Sequence, residues 1–182
     1  EIDELNILQA TYLAMKKSIG MLSVKPDQIL IDGPKSNIKQ YKVEHIINGD
    51  NLSQSIAAAS IIAKVYRDSI MYEYDKIFTL YNFKKNKGYG TKEHILQVEE
   101  NKSSPIHRKS FKIIKKNLPT FNDIQKSYGF YVLGIQCVAE RYIKNDWKIH
   151  DQNIESEKSN NLIELCFIKQ DVYKFVKVKY IY

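Results

Sequence analysis

Two aspartates follow strands that the sequence predicts to be neighbours. Asp32 ends a short apolar run and precedes Gly33-Pro34, and Asp50 comes directly after the Asn48-Gly49 turn that closes a second apolar run. In an α/β layout the ends of such strands lie at one edge of the sheet, so we expect both carboxylates there. Two carboxylates can bind Mg²⁺, which also takes waters and phosphate oxygens as ligands. Two such ions would support phosphodiester hydrolysis.

Each aspartate also has a purely structural interpretation. An Asp before Gly-Pro is common in turns, and Asp50 precedes a predicted helix that its side chain could cap. Taken singly, these interpretations are the stronger ones, so the case for chemistry depends on the surrounding motifs.

The elements that must position these residues are readable from periodicity and from turn signals. We expect a helix over residues 2–20, strands over 28–32 and 43–47, and a helix over 53–81. The last helix opens with small residues from Ser55 to Lys64, which favours close packing and an anion-facing N-terminal end. The order of these elements predicts an α/β fold.

The rest of the chain divides into a basic segment and a tail. Residues 84–116 are rich in Lys and Arg and contain one expected helix over 92–101. Leu118-Pro119-Thr120 marks an expected boundary, so we predict domains at 1–120 and 121–182. In the tail we expect a helix over 124–146, a strand over 147–152, a polar loop over 156–160 and a hairpin of strands 162–168 and 172–181.

Composition limits the function classes. The formal charge of +7 and pI near 9.2 favour a polyanionic partner, and the lack of a long apolar span favours nucleic acid over a membrane. Cys137 and Cys166 lie in apolar surroundings and are expected to be buried, reduced thiols. No signal peptide opens the sequence, so we expect a cytoplasmic protein. Glu1 leads straight into a helix, as expected for a piece of a longer chain.

Six consecutive blocks over residues 1–117 resemble bacterial ribonuclease HII in order and spacing. They are Glu1-Ile2-Asp3 with Leu5-Asn6-Ile7; Leu30-Ile31-Asp32-Gly33; Gly49-Asp50; Ser55 to Lys64 with Arg67-Asp68; Lys87-Gly88-Tyr89-Gly90-Thr91 with His94; and Pro105-Ile106-His107-Arg108 with Ser110-Phe111. The resemblance implies the C-terminal part of an RNase H-like fold. It also implies an endonuclease that cuts the RNA strand of RNA–DNA hybrids, and single ribonucleotides in duplex DNA, with Mn²⁺ or Mg²⁺.

The resemblance assigns roles to particular residues. Asp32 and Asp50 match the third and fourth carboxylates of the family's metal site, and Tyr89 matches the tyrosine that stacks on the sugar of the ribonucleotide. Lys64 resembles a phosphate-facing lysine, with a surface lysine as an equal alternative. His107 and Arg108 resemble duplex-contacting residues, with a solvated basic loop as the alternative.

The chain also departs from the family pattern. The first two carboxylates of the family belong to an Asp-Glu-Ala-Gly-Arg-Gly block, and this sequence has no such block; Asp3-Glu4 begins a helix instead. We therefore expect at most half a metal site in this chain alone, exposed apolar edges, poor solubility and incomplete catalysis. A complete form is expected to be a monomer.

The tail resembles the YraN-like family, which implies a small α/β restriction-endonuclease-like domain. The matching blocks include Leu133-Gly134, Ala139 to Tyr142, Trp147-Lys148-Ile149 and Phe175 to Lys179. Expected acidic positions hold Ile135, Leu162 and Lys177, and only Glu164 and Lys179 remain. We expect this domain to be inactive. A non-catalytic nucleic-acid-binding protein and an adaptor remain the alternative functions for the chain.

Overall fold

The computed structural model describes residues 1–124, 129–155 and 162–177 of the chain. It forms two compact units, Glu1–Arg67 and Asp68–Tyr182, and the division falls inside one long helix. Each unit is considered by itself below.

The first unit contains a helical N-terminus, a small parallel sheet and the start of the long helix. Its elements are α1 (Ile2–Leu5), α2 (Ile7–Gly20), β1 (Ile29–Asp32), β2 (Val43–Ile46), α3 (Gly49–Leu52) and α4 (Gln54–Ile77), which continues into the second unit. Strands β1 and β2 pair in parallel, with Asp32 opposite Ile46. The predicted strands and the shared direction of their ends are confirmed.

The predicted first helix is interrupted at Asn6. This residue has a φ of 71°, and its side chain accepts hydrogen bonds from the backbone N–H groups of Leu8 and Gln9 at 3.1 Å. Asn is a favoured N-cap residue because its side chain satisfies N–H groups that lack a partner within the helix. The continuous helix expected over residues 2–20 is therefore wrong, and two helices replace it.

Exposed apolar side chains are frequent in the first unit, as the sequence predicts. On α4, Ile61 and Ile62 are 63% and 70% exposed, and Val65 is 63% exposed. Val24 and Ile47, which flank the strands, are also exposed. This unit therefore has a large apolar surface and few buried residues among those described.

The second unit begins within α4 and contains a helical segment and an antiparallel sheet. Its further elements are a 3-10 turn (Thr79–Tyr81), α5 (Phe83–Asn86), α6 (Lys92–Asn101), α7 (Lys112–Lys116), α8 (Phe121–Asp123), α9 (Gly129–Ile143), β3 (Lys148–Glu155), β4 (Leu162–Lys169) and β5 (Val172–Val176). The sheet order is β3-β4-β5, and both pairings are antiparallel. The predicted helix over 92–101 is confirmed, as is the strand over 147–152, which continues to Glu155. The final hairpin is confirmed as far as Val176, and residues 178–181 of its predicted second strand lie outside the described part of the chain.

In the second unit, one hydrophobic core contains residues of both the helical segment and the antiparallel sheet. Tyr74, Phe78 and Phe83 pack in the same cluster as Leu165 and Phe167. The 3-10 turn that precedes α5 ends the predicted helix over 53–81 early, at Ile77. Residues on both sides of the predicted boundary at 120 share this core, so packing alone does not separate 1–120 from 121–182.

Polar contacts reinforce the same packing. The Ile149 N–H donates to Glu73 Oε2 at 2.8 Å, and Lys76 Nζ donates to the Ile149 carbonyl at 2.9 Å. Gln152 donates to the Lys76 carbonyl at 3.0 Å. Strand β3 is thus held by the C-terminal part of α4.

The remaining tail predictions have mixed outcomes. Cys166 is buried, but Cys137 is exposed on α9, so the predicted burial of Cys137 is wrong. Its position places it on the side of α9 away from the core residue Ala139. The polar loop over 156–160 and Lys179 lie outside the described residues. Among the described helices, none is both long enough and apolar enough to cross a membrane.

Candidate nuclease site and its supporting loop

The Asp32 carboxylate lies against the turn that carries Asp50. Asp32 Oδ1 accepts a hydrogen bond from the Gly49 backbone N–H at 2.8 Å, and Gly49 directly precedes Asp50. Asn48 enters this turn with a φ of 56°, a left-handed conformation that Asn tolerates better than most residues. One hydrogen bond therefore joins Asp32 to the residue that directly precedes Asp50.

Gly49 allows this close approach. A Cβ added at Gly49 would lie 2.6 Å from Ile56 Cδ1 and 3.4 Å from Asp32 Oδ1. Gly49 is itself buried, so a side chain at this position would have to displace the terminal methyl group of Ile56. The small residue is needed because β1, β2 and the start of α4 converge on the same point.

Asp50 lies inside the short helix α3, and its side chain is exposed. Its Oδ1 accepts a hydrogen bond from Asn51 Nδ2 at 3.3 Å. The helix that Asp50 was expected to cap is α4, which begins at Gln54, four residues further along the chain, so Asp50 does not lie at its N-cap position. Its carboxylate remains open to solvent.

The donor set fits part of a divalent-cation site. Asp32 and Asp50 are both exposed, and the described hydrogen bond to Asp32 occupies only one of its carboxylate oxygens. Mg²⁺ binds through one or two carboxylates together with waters and phosphate oxygens, so two carboxylates are a sufficient protein contribution for one ion. Within the described ranges, no group of three or more His, Cys, Asp or Glu side chains is gathered to hold a metal.

Lys64 lies on the exposed surface of α4. The structure gives it no described partner that favours the phosphate-facing role over the surface role. Both alternatives for Lys64 therefore stay open.

The other predicted site residues belong to the second unit. Tyr89 is 60% exposed and lies in the loop between α5 and α6. Arg108 is also exposed, with its guanidinium 5.4 Å from the centre of the Phe111 ring. An exposed aromatic ring and an exposed guanidinium are groups that bind nucleic acids by stacking and by charge.

His107 is placed differently from Arg108. Its ring lies inward, where Nε2 contacts His94 Nε2 at 3.1 Å and Nδ1 accepts the Ser104 N–H at 3.0 Å. Burial, together with a smaller effect of the His94 charge, lowers the pKa of His107 to about 4. Both ring nitrogens are thus used inside the protein, so the predicted duplex contact by His107 would require one of these bonds to break.

The sequence interpretation missed His94 and Ser104 as partners of His107. His94 lies 13 positions before His107, and the two meet only because the chain turns back after α6. No helical or strand period connects positions at that separation. The available signal was indirect, since both histidines lie in blocks that resemble the same family.

Comparison with known proteins agrees with the order of the motifs in the sequence. The family model for Ribonuclease HII matches residues 1–114. The chain belongs to the ribonuclease HII family.

Curated relatives match the same part of the chain. Ribonuclease HII of Clostridioides difficile (strain 630) is 56% identical over 114 residues, which cover 61% of this chain and 44% of that protein. Ribonuclease HII of Enterococcus faecalis is 53% identical over 114 residues, covering 63% and 44%. That of Natranaerobius thermophilus is 51% identical over 116 residues, covering 64% and 59%. The chain spans about half the length of the curated relatives it matches.

Proposed function

We propose that this chain carries part of the active site of an endoribonuclease. The enzyme would cleave the RNA strand of RNA–DNA hybrids and single ribonucleotides embedded in duplex DNA. The observation that carries the proposal is the bond between Asp32 and the Gly49 backbone, within a segment that matches the ribonuclease HII family. This bond sets an exposed carboxylate beside the turn that bears Asp50.

In this proposal Asp32 and Asp50 hold a divalent cation, either Mg²⁺ or Mn²⁺. When bound, such an ion polarises a phosphoryl oxygen and lowers the pKa of a bound water. The protein's own part is positional: the Gly49 N–H holds one Asp32 oxygen, and the other oxygen would bind the ion. A charged group that is already in position when the reaction occurs can stabilise the transition state without a cost of reorganisation, and this lowers the barrier of the reaction.

The second unit would supply the groups that bind the duplex. Tyr89 would stack against the ribonucleotide, and Arg108 would contact the phosphate backbone. The YraN-like character of the tail and its lack of activity also remain proposals. Lys177, which stands at one of the altered acidic positions, is exposed and cannot hold a cation.

A chimera tests the nuclease proposal with the protein's own residues. Residues 1–114 would replace the matching segment of the C. difficile relative, and cleavage of a duplex with one ribonucleotide would be measured with Mg²⁺ and with Mn²⁺. We expect specific cleavage at the ribonucleotide. Asp32→Asn should lower the rate about 100-fold or more, since even the removal of a ligand's supporting partner costs about 10–100-fold.

Asp27→Asn is the matched control, because Asp27 is exposed, lies just before β1 and carries the same charge. It should leave the rate within about twofold. A folded chimera that cuts neither substrate would contradict the proposal. So would an Asp32→Asn chimera that keeps full activity.

A non-catalytic nucleic-acid-binding protein is the second candidate. The formal charge of +7 and the exposed Arg108 favour duplex binding whether or not cleavage follows. Duplex binding by the chain, combined with a folded but inactive chimera, would favour this function over the nuclease.

A further inference from the structure

A continuous series of hydrogen bonds connects the Ser104 turn to the Tyr89 loop. The Ser104 N–H donates to His107 Nδ1 at 3.0 Å, and His107 Nε2 lies 3.1 Å from His94 Nε2. His94 Nδ1 lies 2.9 Å from the Tyr89 carbonyl oxygen. Each ring therefore uses both of its nitrogens.

The two ends of this series determine where the protons lie. A backbone N–H can only donate, so His107 Nδ1 must be unprotonated and its proton must be on Nε2. The Ser104 hydroxyl oxygen lies 2.7 Å from the same Nδ1, and in this arrangement the hydroxyl donates to it as well. A carbonyl oxygen can only accept, so His94 must carry its proton on Nδ1 and offer Nε2 as the acceptor. His107 then donates to His94, and both rings are neutral with opposite tautomers.

This proton arrangement argues against a metal between the rings. A cation bound by both Nε2 atoms would require both to be unprotonated. His107 would then carry no proton on either nitrogen, because Nδ1 already accepts the Ser104 N–H. Such an anionic ring is not expected in a site lined by aromatic residues.

Aromatic rings surround the histidine pair. The Tyr81 ring centre lies 4.9 Å from that of His107, and the Phe83 ring centre lies 5.4 Å from that of His94. Among the described groups packed against His107, His94 and Tyr81 are the titratable ones, and the Tyr81 hydroxyl donates to the Lys102 carbonyl at 2.8 Å. Burial among these rings lowers the pKa of His107 to about 4 and so favours the neutral form of that ring.

Other hydrogen bonds also hold the backbone of the Tyr89 loop, whose carbonyl oxygen His94 contacts. The buried Asn86 side chain accepts the Gly88 N–H at 2.8 Å and donates to the Tyr81 carbonyl. The Thr91 N–H donates to the Tyr89 carbonyl at 2.8 Å, the same oxygen that His94 contacts. The Tyr89 side chain is exposed, but its backbone is fixed from both sides.

We propose that His94 and His107 are positioning residues that hold the Tyr89 backbone in place so that its ring meets the ligand in one orientation. The role of Tyr89 as the ribonucleotide contact rests on the proposed function. The positioning itself depends only on the hydrogen-bond series. It also gives His107 a role that does not require contact with the duplex.

Two substitutions of His94 each remove one of its two hydrogen bonds, either the one to Tyr89 or the one to His107. In His94→Asn, the shorter amide can still donate to the Tyr89 carbonyl but cannot reach His107. In His94→Gln, the longer amide can reach His107 but no longer places a donor at Tyr89. His150→Gln is the control, because His150 is exposed and lies on β3 in the same unit.

Amide hydrogen exchange of the chain measures how firmly the Tyr89 loop is held, and it needs no ligand. We expect His94→Gln to speed exchange of the Thr91 amide about tenfold, the usual effect of one lost hydrogen bond, and His94→Asn to change it much less. The amides of β4 report global opening and should be unaffected. Equal exchange at Thr91 in the wild type and His94→Gln would overturn the proposal, as would an equal acceleration at Thr91 in the two variants.

Nitrogen-15 spectra of the imidazoles test the proton assignment directly. At neutral pH, His94 should show the Nδ1–H tautomer and His107 the Nε2–H tautomer. Identical tautomers, or a charged His107, would contradict the series of donors described above.

A binding measurement then links the loop to the ligand. Fluorescence anisotropy would compare a duplex containing one ribonucleotide with the same duplex made only of DNA. We expect His94→Gln to lower the preference for the ribonucleotide about tenfold without changing the affinity for DNA, and His94→Asn to retain most of the preference.

The two proposals fail in distinguishable ways. A wild-type chain with no preference between the duplexes would contradict the assigned role of Tyr89, while the exchange data would still decide the positioning. A preserved preference in His94→Gln, with Thr91 exchange accelerated, would show that the loop's order does not serve recognition and would overturn this inference.

Discussion

At the scale of single residues, Tyr89 combines a fixed backbone with an exposed side chain. Its N–H donates to the Asn86 carbonyl at 2.8 Å, and its own carbonyl accepts from Thr91 and from His94. A ring held in this way loses little conformational freedom when it meets a ligand, so most of its contact energy can appear as affinity.

Replacement of the Tyr89 ring should therefore weaken recognition strongly. We expect Tyr89→Ala to reduce the affinity for a ribonucleotide-containing duplex about 10- to 100-fold, by analogy with the stacking of a base on an aromatic ring, which is worth about 1–3 kcal/mol. Anisotropy titrations would measure it. Tyr89→Phe keeps the ring and should stay within about threefold of the wild type. An unchanged affinity in Tyr89→Ala would contradict a stacking role.

The low pKa of His107 makes the protein's stability dependent on pH. The folded form has a pKa of about 4, chiefly because the ring is buried, against an ordinary value of 6.5. Above pH 6.5 both the folded and unfolded forms are neutral at this site. Between pH 6.5 and 4 only the unfolded form binds the proton, so the free energy of unfolding should fall by about 3 kcal/mol.

Urea denaturation over this pH range would measure the effect. His107→Asn keeps an acceptor for the Ser104 N–H but does not titrate, so its stability should decline less steeply than that of the wild type as the pH falls. His150→Asn removes an exposed histidine and should leave the wild-type slope unchanged. If the free energy of unfolding fell equally steeply with pH in the wild type and in His107→Asn, protonation of His107 would not be the cause of the decline.

At the scale of elements, the turn at Gly49 decides whether β1, β2 and α4 can converge. Gly49→Ala places a Cβ 2.6 Å from Ile56 Cδ1 and in contact with Asp32 and Ile46. We expect a loss of about 1–3 kcal/mol in the free energy of unfolding, measured by urea denaturation, because an overpacked site must shift its neighbours. Gly20→Ala is the control, since nothing lies within 4 Å of its added Cβ. A neutral Gly49→Ala would show that the turn has more room than the geometry implies.

Elements with local signals were predictable, and contacts between distant residues were not. The helix at 92–101 follows Thr91, whose side chain accepts the His94 N–H, and the strand that ends at Asp32 is a short apolar run. The break at Asn6 also has a local cause, an N-cap, but the regular apolar spacing around it masked the signal. The His94–His107 contact depends on how the chain returns after α6, which no short-range pattern encodes.

At the scale of the whole chain, the tail and the family-matched segment share packing. Ala139, Ile143 and Phe167 lie in the cluster that holds Tyr74 and Phe78. Removal of the tail would expose these aromatic rings to water, at a cost of about 25 cal/mol per Å² of apolar surface. The adaptor alternative, in which the tail is a separable module, therefore fits the second unit less well than a structural role does.

The net charge of +7 predicts that duplex binding by the chain depends strongly on salt. Each phosphate that a Lys or Arg neutralises releases counterions, so the logarithm of the binding constant falls by about 0.9 per contact for each decade of salt. If Arg108 contacts a phosphate, Arg108→Gln should reduce this slope by about one and weaken binding to hybrid and DNA duplexes alike.

Titrations between about 50 and 200 mM salt would measure the slope. Lys144→Gln is the matched control, because it removes the same charge from an exposed residue that pairs with Glu140 at 2.6 Å and lies beyond the family match. Its slope should equal that of the wild type, since a charge that contacts no phosphate releases no counterion. Equal slopes in Arg108→Gln and the wild type would instead assign Arg108 to the solvated surface, and a change in Lys144→Gln would extend the binding surface into the tail.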